Sequence, residues 1–113
     1  MLPGTPGLWS PAVDMYETTD SWIVFMELPG LVSDEIELTI GDYSIVIKGF
    51  KPPPLTGCVA AHLEIWTGHF VRELKTPDRI ERKSVTASMK NGLLRVVLPK
   101  LTPERVVVPI DPD

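Results

Sequence analysis

Twelve prolines interrupt the 113 residues, about twice the average share. Each lacks an amide hydrogen and fixes its own φ, so a chain punctuated this often disfavours long helices. It favours short strands separated by rigid connections, and the apolar residues follow that rhythm. No segment carries sustained apolar spacing at a 3.6-residue period, whereas several alternate at period two.

Val13 to Glu17 reads as a short strand closed by a Thr18-Thr19-Asp20 turn. Ser21 to Leu28 is rich in aromatic and β-branched residues and ends at Pro29-Gly30. Glu35 to Ile40 alternates, with Ile36, Leu38 and Ile40 on one face. Gly41-Asp42 is expected to make a two-residue hairpin through positive φ at the glycine. The return strand, Tyr43 to Gly49, would turn Tyr43, Ile45 and Ile47 to the core. A long irregular stretch, Lys51 to Ala61, opens with Pro52-Pro53-Pro54. His62 to Trp66 is a candidate short strand, and Gly68 to Lys75 another with Phe70, Arg72 and Leu74 on one face. Val85, Ala87 and Met89 alternate in the next. Asn91-Gly92 is a strong hairpin signal because both residues tolerate left-handed geometry. Leu93 to Leu98 returns, and Pro99 stops it. The spacing predicts one all-β domain, an antiparallel β-sandwich.

The expected organisation is a short extended arm over 1–11, the sandwich over 12–100, and an extension over 101–113. In that extension Val106, Val108 and Ile110 fall on one side of an extended segment beyond Pro99 and Pro103. Burying a Val or Ile is worth roughly 1.5–3 kcal/mol, so the segment favours an apolar groove. One docked tail would be weak and reversible, and several on one assembly much stronger. The alternative is that it folds back as an edge strand of its own domain.

The formal net charge of -4 gives no basis for nucleic acid or an anionic membrane as partner. No apolar run approaches the ~20 residues needed to span a bilayer. The N-terminus lacks a basic, then apolar, secretory signal. The single cysteine, Cys58, excludes an internal disulfide and suits a reducing, cytoplasmic setting. Cys58, His62, Glu64 and His69 lie within twelve residues but lack the paired spacings zinc prefers, so no metal and no cofactor is expected. No G-x-S-x-G elbow or glycine-rich helix start is present, and the chain does not read as an enzyme.

In their order, these motifs resemble the α-crystallin domain of small heat-shock proteins of the bacterial and plant type. Asp14 with Glu27-Leu28-Pro29-Gly30 is similar to the family's opening strand and turn. Asp34-Glu35-Ile36, Gly41-Asp42 and Ile47-Lys48-Gly49 fit its next hairpin. Glu64, Gly68, Phe70 and Arg72 match E-x-x-x-G-x-F-x-R. Ala87 through Leu94 resembles A-x-x-x-n-G-v-L, Leu98-Pro99-Lys100 the domain's ending, and Val108-Pro109-Ile110 the C-terminal [I/V]-x-[I/V] anchor. Thr76-Pro77 stands where the family usually has Leu-Pro, and the arm before the domain is short.

The resemblance implies an immunoglobulin-like sandwich that acts as an ATP-independent holdase for unfolding clients. It implies a homodimer in which a loop strand, His62, Leu63, Glu64, Ile65 and Trp66, pairs with Val13, Asp14, Met15 and Tyr16 of the partner, with Arg72 near that interface. It also implies that Val108, Pro109 and Ile110 dock between the strands bearing Ile36 and Leu38 and those bearing Val85 and Ala87 on another subunit. The rival class is an adaptor with a related sandwich, monomeric and binding one folded partner. Trp22 is expected in the core, and Trp9 and Trp66 on contact surfaces.

Overall fold

The computed structural model describes residues 9–102 and 106–113. The part of the expected arm at 1–8, and Pro103, Glu104 and Arg105 in the extension, lie outside the described residues. Among the described residues, seven antiparallel strands form two sheets. One orders β1 (Val13–Glu17), β2 (Ser21–Glu27), β7 (Leu93–Pro99) and β6 (Thr86–Lys90) as β1-β2-β7-β6. The other orders β3 (Ile36–Ile40), β4 (Ser44–Lys51) and β5 (Gly68–Lys75) as β3-β4-β5.

The period-two pattern decides which residues meet between the sheets. Val24 and Met26 from β2, Leu94, Val96 and Leu98 from β7, Ile45 and Ile47 from β4 and Phe70 from β5 are all buried. Ile36, Leu38 and Ile40 pack half-buried at the margin of this core. Two turns owe their shape to residue type. Asn91 (φ 51°) and Gly92 (φ 76°) are both left-handed, as the β6–β7 hairpin requires. A Cβ at Gly92 would also stand 2.9 Å from the Cα of Pro29. At Leu28–Leu31 the chain passes between sheets through a turn closed by the Leu31 N–H donating to the Leu28 carbonyl. Pro29 and Gly30 (φ 86°) suit its two central positions.

Several expectations change. Gly41 does not take a positive φ; its N–H donates to the Ser44 carbonyl, and the tip of the hairpin is Asp42-Tyr43. What Gly41 supplies is room, since a Cβ there would stand 2.9 Å from Ser44 Oγ. Tyr43 accordingly lies exposed at the tip instead of facing the core. Its carbonyl accepts from Thr76, and that of Asp42 accepts from Ile80.

Trp9 is also not a surface residue. It is 8% exposed, its ring meets Phe70 edge-on at 5.6 Å, and its indole N–H donates to the Gly68 carbonyl. Its backbone N–H donates to the His69 carbonyl, so Trp9 covers the edge of β5 there.

His62–Trp66 forms no strand. A strand needs a neighbour for its backbone groups, and among the described residues none runs alongside it. Trp66 is half-buried and packs against the core. Finally, Val85 precedes β6 and follows a 3₁₀ turn, Arg82–Ser84. Trp22 is half-buried at the core margin, with its indole N–H donating to Asp78.

Candidate assembly surfaces

Three surfaces carry the residues singled out by sequence. The first is a cleft where the edge strand of each sheet comes to one side of the sandwich. Ile36 and Leu38 of β3 face Ala87 and Met89 of β6 across a hollow of 130 Å³, floored by Leu94. Three members of the expected quartet therefore meet. Val85 does not line the hollow; it packs against the core just before β6 begins. Met89 and Leu94 are additions. Met89 was legible as the next inward position after Ala87, whereas Leu94 needed the β6–β7 register, in which it pairs with Met89.

The second surface is the C-terminal segment. Residues 106–113 form no strand, so the fold-back alternative is not what the structure contains. Val108 is 72% and Ile110 94% exposed, and Val106 and Val107 stand in solvent as well. Four large apolar side chains within five residues make a concentrated sticky strip. Pro109 keeps it extended and removes one donor.

The third surface is the free edge of β1. Among the described residues, this strand pairs with β2 on one side and with nothing on the other. Val13 and Met15 turn to the core, while Asp14 lies outward with Tyr16, whose ring meets Phe25 edge-on at 5.9 Å. The root of β1 is fastened from the other sheet, where Arg72 donates from Nη1 to the Pro11 carbonyl at 2.7 Å. That bond answers the demand of a half-buried guanidinium for a partner. The loop at 52–67 presents exposed Leu55, Val59, Leu63 and Ile65. Within it His62 Nε2 lies 2.6 Å from Glu64 Oε2, both side chains largely in solvent. Cys58 is free and exposed. Among the described residues, no three His, Cys, Asp or Glu side chains converge as a metal site would require. Among the same residues, no helix is long and apolar enough to cross a membrane.

Lys100, at the end of β7, reaches Glu17 at 2.6 Å and Asp78 at 3.7 Å, with the Trp22 ring 5.5 Å away. The hydrogen bond to Glu17, reinforced by the charges of Glu17 and Asp78, holds its ammonium above the ordinary lysine range, against a smaller desolvation effect.

Residues 14–111 match the model of the Hsp20/alpha crystallin family. The chain belongs to this family. The 22.0 kDa heat shock protein of Arabidopsis thaliana is 33% identical over 104 residues, covering 88% of this chain. The chain spans 53% of that plant protein's length. Among solved structures, heat shock protein 16.0 from Schizosaccharomyces pombe superimposes with a TM-score of 0.76 at 27% identity, covering 93% of this chain and 99% of that one. A small heat-shock protein from Xylella fastidiosa, described as having a distinct high order structure, gives 0.75 at 28% identity over 90% of this chain and 98% of its own. The α-crystallin sandwich expected from the motifs is thus the fold the chain adopts.

Proposed function

We propose that this member of the Hsp20/alpha crystallin family is an ATP-independent holdase that assembles with itself and covers apolar segments of unfolding proteins. The observation that carries the reading is a matched pair within one chain: an exposed Val108-Pro109-Ile110 strip and an apolar cleft between β3 and β6. Because the strip is not seated on its own sandwich, the cleft of a second copy is its natural complement. Val108, Pro109 and Ile110 are the anchor in this reading; Ile36, Leu38, Ala87 and Met89 are its groove, with Val85 supporting the start of β6.

The dimer would form on the free edge of β1. His62, Leu63, Glu64, Ile65 and Trp66 would gain there the ladder they lack within one chain, pairing with Val13, Asp14, Met15 and Tyr16 of the partner. Each contact is small, so tails and loops exchange without nucleotide, and a client's apolar segment competes for the same cleft and edges. The relatives named above are heat shock proteins, which favours a holdase over a single-partner adaptor. The one free cysteine suits a reducing, cytoplasmic setting.

Light scattering from a heat-labile client protein tests the reading. The expected result is suppression of aggregation at equimolar subunit ratio, unchanged by adding ATP. Full aggregation of the client at that ratio would refute it.

A further inference from the structure

The sandwich holds its C-terminal extension by a root, and among the described residues the Lys100 side chain ties that root to the last residue of the proposed dimer strand. Among the described residues, main-chain ties of the segment end at Leu101, whose N–H donates to the Arg79 carbonyl at 2.7 Å. One residue earlier, the Lys100 N–H donates to Asp20 in the β1–β2 turn, and Lys100 bridges Ile80. The Lys100 side chain, only 20% exposed, then turns back across the end of the sandwich. It donates to Glu17, the last residue of β1, and to the Thr19 carbonyl. It faces Asp78, which accepts from the Trp22 indole. Two carboxylates, one indole ring and two turns converge on one ammonium.

We infer that Lys100 is a positioning residue for assembly: by clasping Glu17 and Asp78 it fixes the direction in which the C-terminal extension leaves the sandwich and couples that direction to β1. This rests on the reading that Val108 and Ile110 dock on a second copy. Between Leu101 and Val108 the chain can reach at most about 25 Å, so the point and direction from which the tail starts bound which neighbouring cleft it can meet. A tail that starts in the right direction has a higher effective concentration at the neighbouring cleft, with no new contact made. Without the ammonium, Glu17 and Asp78 are left as like charges at the foot of the extension, and the clasp opens.

The test compares full-length wild type, Lys100→Met, Lys100→Arg and a chain lacking 106–110, by native mass across a dilution series and by amide hydrogen exchange. Lys100→Met is expected to raise the concentration for half-assembly about threefold or more and to speed exchange at the amides of Lys100 and Leu101. Lys100→Arg, which keeps the charge and the contact with the Trp22 face, is expected to restore both. A purely structural lysine would instead lower the melting temperature and leave half-assembly unmoved. If the deletion lowers the mass and Lys100→Met does not, the inference is overturned while the anchor reading stands. If the deletion leaves the mass unchanged, the anchor reading fails and takes the inference with it. Should Lys100→Met not fold, Glu17→Gln decides on the same readouts: an effect in the same direction supports the clasp, and wild-type behaviour overturns it.

Discussion

Replacing Val108 and Ile110 together with glycine is the perturbation whose size follows most directly from the geometry. Both side chains stand in solvent, 72% and 94% exposed, so the isolated sandwich loses nothing when they go. Docked, each gains about 1.5–3 kcal/mol from burial, or roughly 3–6 kcal/mol for the pair. Immobilising the two side chains takes back about 0.5–1.5 kcal/mol each. A net loss near 3 kcal/mol per contact corresponds to a rise of about 100-fold in the tail–cleft dissociation constant. Glycine also loosens the extended segment, which acts in the same direction. Native mass measured by light scattering over a hundredfold dilution should show the variant collapsing to dimers where the wild type persists as larger species. Circular dichroism and melting of the sandwich should be unchanged. A variant that keeps the wild-type mass at every concentration would refute the reasoning, because no other part of the strip carries comparable apolar area facing one way.

Trp9→Ala should lower the melting temperature by roughly 10 °C or more in a thermal melt, since removing a buried aromatic costs about 3–5 kcal/mol in a closed core and less where a chain end can relax. Gly49→Ala should be more disruptive than its one carbon suggests: a Cβ there would stand 2.5 Å from the Glu35 carbonyl oxygen and 2.7 Å from Phe70 Cζ. Denaturant unfolding should register a loss of about 1–3 kcal/mol. Shortening the loop between Pro52 and Ala61 should weaken the dimer without altering the sandwich. A dimer of equal affinity by analytical ultracentrifugation would count against strand exchange.

What was legible in the sequence is what depends on neighbours along the chain. Ile36, Leu38 and Ile40 announced their face by alternation, Asn91-Gly92 announced its turn by backbone chemistry, and β1 was placed at Val13–Glu17 from its turn and period. What escaped depends on residues far apart. Trp9 sits in a Pro/Gly-rich stretch with no periodic context, and its burial is decided by Phe70 and Gly68 on β5. Tyr43 shares the parity of Ile45 and so read as core, but the hairpin tip belongs to Asp42 and Tyr43, held by bonds to Thr76 and Ile80. In the cleft, the family resemblance pointed to Val85, yet the 3₁₀ turn at Arg82–Ser84 delays β6 to Thr86 and leaves the lining to Ala87 and Met89. Lys100 carried no local signal beyond its place after Leu98-Pro99, because Glu17, Trp22 and Asp78 reach it from three other segments.

Disulfide trapping across chains tests the self-recognition claim most directly. One population carries Ile110→Cys and a second, differently tagged, carries Leu38→Cys, both with Cys58→Ser. A disulfide requires Cα atoms within about 7 Å, so mild oxidation of the mixture reads proximity between different molecules. The account predicts a covalent pair containing both tags. If the cysteines join only when placed in the same chain, or not at all, the tail does not recognise another copy, and the proposed assembly is contradicted.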